Sequence, residues 1–419
     1  MRYSIQNVTR QEVEASNGLD IKEAPGTGII FAELSEAGVA SLQSLGAKVK
    51  KVDKVKLADI APPIPIPVEK GLSASDLLGA LGFTEEWRHL IIPPLYGEGF
   101  GIAIIDSGIR ETHELIKGRV VYSKNFTTSP SGDNFNHGTG VASIVTTLAP
   151  QCDVIDIKVI GDDGLGTDET VVMGISEVIS LREAQGELFP HVINLSLGKE
   201  DDGDPDDPIR VVCRIALDKE IFVVAACGNL GPDMGTILSP ACEKYVGAVG
   251  SITYNPESPQ ESFLVSEFSS RGPTKEGLIK PDVVLPGEGI LMADSKSDTA
   301  TIAKSGTSFA VALGSSAILL QGEGASRVAY LREPYRFGGK TIPITPIELM
   351  DVWIPLLTIK PAGNPRDKDV NYGWGIPYGE LAELALTGRP YSTMNVFNSI
   401  AEAGMMIMMM GVLIKQISK

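Results

Sequence analysis

The chain is short of several things, and each shortage narrows what it does. Four cysteines, Cys152, Cys213, Cys227 and Cys242, are spread through 419 residues. Their spacing fits no zinc pattern, so they read as reduced, buried, small apolar residues. Only four histidines are present, so a working imidazole has few places to be. Positive charge is outnumbered, 36 Lys and Arg against 53 Asp and Glu, for a net charge of −17. That argues against nucleic-acid binding and against attraction to anionic lipid, both of which need a basic face. No apolar run reaches the roughly 18 residues of a membrane span. The nearest is the Met-rich stretch from Ala403 to Ile414, bounded by Glu402 and Lys415. The opening MRYSIQNVTRQEVEASNG lacks the apolar centre of a secretory leader. The expected location is the cell interior, with non-classical export as the other route.

What is present is an ordinary globular composition, 43% hydrophobic and 21% charged, enough to bury a sizeable core. Residues 1–64 read as a small α+β unit. TGIIFAELS is a strand, SEAGVASLQSLG a serine-capped helix, and AKVKKVDKV an alternating strand. The proline-rich APPIPIPVEKG, residues 61–71, reads as an extended linker, and 65–95 as linker plus helix. From 96 to 385, Val/Ile-rich strands alternate with helices. This predicts one α/β domain around a mainly parallel sheet covered on both faces. Residues 386–419 form a Met-rich tail. The acidic DDGDPDD, 201–207, reads as a solvated loop, with a calcium site as the alternative.

In parallel α/β sheets, functional groups gather at the carboxyl ends of strands. GIAIIDSGI ends a buried strand on Asp106, a costly carboxylate unless it is paired. NFNHGTGVASIV sets His137 at the start of an apolar helix. KSGTSFAVA places hydroxyls, Ser308 among them, at the start of another. The other histidines offer less. His89 lies in a helix ahead of the domain, His191 opens a buried strand and reads as structural, and His113 reads as a turn or surface residue.

These three blocks, in this order, resemble the active-site blocks of the subtilisin-like serine proteases (peptidase family S8). NLSLG (194–198), VAACGNLG (224–231), FSSRGP (268–273), KPDVVLPGEGI (280–290) and NYGWGIP (371–377) extend the resemblance. It implies a three-layer α/β/α sandwich and a serine endopeptidase that needs no cofactor for its chemistry. Structural calcium is left open. The resemblance makes Ser308 the nucleophile, His137 the base and Asp106 its orienting acid. It makes Asn229 and the Ser308 backbone N–H the oxyanion donors, against the plain reading of Asn229 as a turn residue. Gly164, Leu165 and Gly166 would form one edge for an extended substrate, and Ser196, Leu197 and Gly198 the other. Ala226 and Gly228 would line a pocket without charge, which suggests an apolar residue before the cut. The chain departs from the family at Ser107, at Val311, Ala312 and Leu313, and at Cys227, whose thiol would confer sensitivity to mercurials.

The N-terminal unit resembles the family's ferredoxin-like propeptide more weakly, an unrelated α+β domain being the alternative. If the likeness holds, its last strand lies in the cleft and the chain processes itself. The expected partners are then a polypeptide substrate and the chain's own N-terminal unit. The competing reading is a non-catalytic or self-cleaving-only assembly protein that uses the Met-rich tail.

Overall fold

The run GIAIID alternates between two faces that are both buried, and this one strand shows how the body is layered. Ile102 and Ile104 face one apolar cluster, and Ala103 and Ile105 face another. The computed structural model describes residues 1–57, 71–73, 76–77, 81–82, 88–89, 94–185, 189–254, 263–331, 354, 358–360, 364 and 367–377.

The N-terminal unit consists of β1 (Arg2–Gln6), α1 (Arg10–Ala15), β2 (Leu19–Ala24), β3 (Ile29–Glu33), α2 (Glu36–Ser44) and β4 (Lys48–Lys51). Its four strands form an antiparallel sheet in the order β2-β3-β1-β4. Thr9 and Glu12 build a capping box on α1, and Ser35 caps α2 through the Gly38 N–H. One face of the sheet closes on the helices through Ile5, Val13, Ile30 and Leu42.

Then comes β5 (Lys54–Leu57), which leaves that sheet for the body. The body holds β6 (Gly101–Asp106), β7 (Val120–Asn125), α3 (Gly138–Leu148), β8 (Asp153–Lys158), β9 (Leu165–Thr167), α4 (Asp168–Gln185), β10 (Val192–Leu195) and β11 (Leu197–Glu200). It continues with α5 (Pro208–Asp218), β12 (Phe222–Ala226), β13 (Leu238–Ser239), β14 (Gly247–Ile252), β15 (Val283–Pro286), β16 (Ile290–Ala293), β17 (Thr301–Lys304) and α6 (Thr307–Leu331).

Seven strands form a parallel sheet in the order β15-β14-β12-β10-β6-β8-β7. Helices α3 and α6 pack on one face, through residues such as Val141, Ile144, Phe309 and Leu313. Helices α4 and α5 cover the other, through Val171, Ile175, Ile209 and Val212. The α/β/α sandwich expected from sequence is present. Strand β6 is where the chain's progress across the sheet changes direction, and a crevice forms at such a point beyond the carboxyl ends of the strands. Asp106 is the last residue of β6. Among the described residues, no helix is long and apolar enough to cross a membrane.

The segment AKVKKVDKV is a correction. One alternating strand was expected, but the chain turns at Val52 and Asp53, and the two halves join different sheets. The turn is held from the body: Asp53 N–H donates to Asp168 Oδ2 at 2.9 Å, and Asp168 N–H returns to Asp53 O at 3.0 Å. Of the helix expected before the body, 73, 76–77, 81–82 and 88–89 are described, with 76–77 and 88 helical and 81–82 and 89 in turns. The linker up to residue 70 and the Met-rich tail lie outside the described residues.

Candidate active site

The loop after β6 and the start of α3 meet at one hydrogen bond. His137 Nδ1 lies 2.8 Å from Asp106 Oδ1, and both side chains are fully buried. The Ser107 N–H donates to the same oxygen at 2.7 Å, which fixes the carboxylate plane. His137 takes the N-cap position of α3, and Gly138 follows because nothing larger fits. A Cβ there would lie 2.3 Å from Gly108 O and 3.1 Å from Asp106 Oδ1.

A second carboxylate, not singled out from the sequence, organises this helix start. Asp133 Oδ2 accepts from the His137 and Thr139 N–H groups at 3.1 and 2.9 Å. Its Oδ1 accepts from Asn136 N–H and from the Ser107 hydroxyl at 2.8 and 2.9 Å. Ser107 Oγ in turn accepts from Gly138 N–H at 3.0 Å. These bonds satisfy first-turn N–H groups of α3 and place a negative charge at its positive end. The only sequence signal was an aspartate four residues before the histidine.

Ser308 is the second residue of α6, so its N–H is among the first-turn donors that lack a helical partner. Its hydroxyl donates to Ser196 O at 3.2 Å, and Ser196 Oγ donates back to Ser308 O at 3.1 Å. Asn194 anchors this clamp by donating to Ser196 Oγ at 2.9 Å and accepting from Ser315 at 3.0 Å. The next residue, Phe309, brings its ring to 5.6 Å from the His137 ring, so the start of α6 lies beside the imidazole. Asn229 follows β12. Its Oδ1 accepts from Thr307 N–H and Thr307 Oγ1, both at 3.0 Å, which orients the amide. From the sequence, Thr307 was one of the hydroxyls at this helix start, set aside as nucleophile in favour of Ser308, and this supporting contact was not foreseen.

The predicted substrate edges stand apart from one another, and a strand fills the space between them. Leu165 and Gly166 lie in β9, directly after Gly164, and Leu197 and Gly198 lie in β11, directly after Ser196. The occupant is β5, giving the order β13-β11-β5-β9. Leu57 sits opposite Leu197 and Lys56 opposite Gly198, while Val55 pairs with Gly166 and Lys56 with Leu165, all antiparallel. Val55 and Leu57 are buried, and Lys54 and Lys56 are exposed. Ala226 ends β12 fully buried. Gly228 has φ +106°, and a Cβ there would strike Leu238 Cγ at 2.6 Å.

The remaining face of the N-terminal sheet packs on the body, with Ala24, Ile29 and Phe31 joining the cluster under α4. Charges frame this contact. Glu169 receives Arg2 at 2.6 Å and Lys22 at 2.8 Å. Lys48 meets Asp206 at 2.6 Å. The Lys50 ammonium lies 2.7, 3.1 and 3.4 Å from Asp202, Asp204 and Asp207. Burial alone would lower the Lys50 pKa, but these carboxylates outweigh it and hold the pKa above the usual lysine value. The acidic loop is therefore engaged by lysines, and not merely solvated. Among the described residues, no cluster of three or more His, Cys, Asp or Glu is arranged to hold a metal ion.

One sequence expectation needs correction. His113 lies in a turn, as one half of the expectation had it, but it is fully buried, with Nε2 2.9 Å from Ala300 O. The Cys227 thiol is fully buried, as read for all four cysteines, and burial pushes its pKa up, which disfavours the thiolate. His191 is structural, as read. It accepts from Gly101 N–H at 3.0 Å and stacks on Phe100, and burial pushes its pKa down to about 4.

The chain is similar to known proteins over more than half of its length. A model of the subtilase family matches residues 97–328, just over half the chain. The chain is 31% identical to "Serine protease AprX" of Bacillus subtilis over 54% of its own length and 58% of that protein. It is 30% identical to "Intracellular serine protease" of Paenibacillus polymyxa over 59% of its own length and 76% of that protein. It is 28% identical to "Subtilisin-like protease 5" of Arthroderma gypseum, again covering little more than half, 56%, of that protein. Among solved structures, "S41 Psychrophilic Protease" superposes with a TM-score of 0.53, covering 67% of this chain and 92% of that one. At 24% identity, that likeness speaks for the fold alone.

Proposed function

The chain belongs to the subtilase family, and from that premise we propose that it is a serine endopeptidase whose own N-terminal unit is both its inhibitor and its first substrate. The observation that carries the catalytic part is the buried Asp106–His137 hydrogen bond, packed beside the helix start that bears Ser308. On this reading, Ser308 Oγ attacks the peptide carbonyl as His137 Nε2 takes its proton. The C–N bond then breaks, and His137 returns that proton to the leaving amine. Water repeats the sequence on the acyl-enzyme and releases the acid. Asp106 keeps the Nδ1–H tautomer and stabilises the imidazolium. Negative charge develops on the carbonyl oxygen, where the Asn229 side-chain amide and the Ser308 N–H would donate. Thr307 supports this role for Asn229, because its N–H and hydroxyl both hold Oδ1 and so fix the plane of the side-chain amide.

Strand β5 supports the inhibitory part. It takes the place an extended substrate would take between β9 and β11, so substrate cannot pair there while β5 does. Residues 1–64 would then be the propeptide and 96–385 the catalytic domain. A shared N-terminal origin for inhibitor and substrate makes self-processing the natural first reaction. The test compares wild type with Ser308→Ala for casein hydrolysis and for shortening of the chain beyond residue 57. Wild type is expected to do both and Ser308→Ala neither. Wild type doing neither would end this reading. Shortening without casein hydrolysis would favour a self-cleaving assembly protein.

A further inference from the structure

We infer that Lys158 is a positioning residue for the Asp106–His137 pair, an inference that rests on the peptidase reading above. Lys158 ends β8, directly opposite Asp106 in the neighbouring strand, and is 1% exposed. A lysine buried this completely is costly unless every ammonium hydrogen finds an acceptor. Here each does. Nζ donates to Ser107 O at 2.7 Å, to Gly132 O at 2.9 Å and to Asp162 Oδ1 at 2.9 Å.

The first two acceptors give the lysine its role. Ser107 directly follows Asp106, and its N–H holds the Asp106 carboxylate. Gly132 directly precedes Asp133, whose carboxylate holds the His137 N–H. One ammonium therefore ties the loop carrying the acid to the loop carrying the base. Gly108 leaves room for it: a Cβ there would lie 3.2 Å from Lys158 Cδ and 2.4 Å from Gly132 O. The third acceptor aims the ammonium. Asp162 is itself fixed by Asn134 Nδ2 at 2.9 Å, and the lysine hydrogen bond holds its pKa below the usual carboxylate value. Removing the ammonium takes this donor from the buried Ser107 carbonyl and from the half-buried Gly132 carbonyl, and the tie between the two loops is lost. The substrate edges β9 and β11 take no part in these bonds, so substrate binding should be spared while the rate of acylation falls.

The experiment uses the full chain. Wild type is first titrated with a fluorophosphonate; no labelling there would refute the peptidase reading itself, whatever Lys158 does. With labelling established, Lys158→Met is compared for kcat, KM and the downfield proton resonance of the His137 Nδ1–H. The inference predicts kcat at least tenfold lower, KM within twofold of wild type, and that resonance weakened or lost. Unchanged kcat and resonance in a folded variant would overturn it, as would a loss confined to KM. If Lys158→Met does not fold, Lys158→Gln, which keeps an uncharged donor, is read in the same way. Failure of both to fold would also overturn the inference, because Lys158 would then be a residue of the fold and not of the catalytic geometry.

Discussion

Phe31 is the most informative place to perturb the contact between the N-terminal unit and the body. Its side chain is fully buried, in the same apolar cluster as Val55 and Leu57 of β5 and Val171, Val172 and Ile175 of α4. It points away from the unit's own helices, whose cluster is a separate one. Truncation should therefore weaken docking more than it unfolds the unit. Phe→Ala at a packed site costs about 3–5 kcal/mol. At about 1.4 kcal/mol per decade, docking would weaken by roughly 10² to 10³ or more. If β5 blocks the site, the intact Phe31→Ala chain should label with fluorophosphonate faster by up to that factor, levelling off once the cleft is mostly open. Labelling of the uncleaved band at early times is the assay. Leu45→Ala, at an exposed position on the same unit, should change nothing. A labelling rate equal to wild type, with circular dichroism unchanged, would refute the reasoning that docking of this face closes the cleft.

Gly138→Ala should lower kcat at least tenfold, because the added methyl would meet Gly108 O at 2.3 Å and push the histidine-bearing helix from Asp106; steady-state kinetics checks this. Raising sodium chloride from low to high concentration should speed labelling of the intact chain severalfold, since Lys48, Lys50, Arg2 and Lys22 dock by charge. Lys50→Met should reduce that salt dependence. His191 has a folded-state pKa of about 4, below the ordinary imidazole value near 6.5, so on acidification the unfolded chain takes up the proton first. The stability this contributes is present above pH 6.5 and is lost as pH falls toward 4. Relative to His191→Gln, wild type should lose about 3 kcal/mol across that window in denaturant titrations.

Legibility in the sequence followed the range of the interactions. The strand end at Asp106 and the helix starts at His137 and Ser308 were readable because each is a short local pattern that survives without tertiary knowledge. The layered sandwich was readable because parallel strands buried on both faces leave long Val/Ile runs. The start of the chain was less so: β1, α1 and β2 were not anticipated, although the Thr9–Glu12 capping box was there to be seen. The split of AKVKKVDKV could not be read, because what turns the chain is Asp168, over a hundred residues away. The burial of His113 was missed for a related reason. A loop sequence looks exposed until the elements that cover it are known. Asp133 bonds N–H groups only three to six residues on, and its one mark in the sequence was its place just before the histidine. Lys158 bonds backbone carbonyls of two distant loops, and a lone lysine in a sequence carries no mark of that.

The proposed chemistry rests on Ser308 as the nucleophile, activated by the Asp106–His137 pair. Fluorophosphonate labelling followed by peptide mass spectrometry, on wild type, Ser308→Ala and His137→Ala, tests this. An adduct is expected on Ser308 in wild type and none in Ser308→Ala, with labelling slowed by orders of magnitude in His137→Ala. An adduct on another serine, or equal labelling in all three proteins, would contradict it.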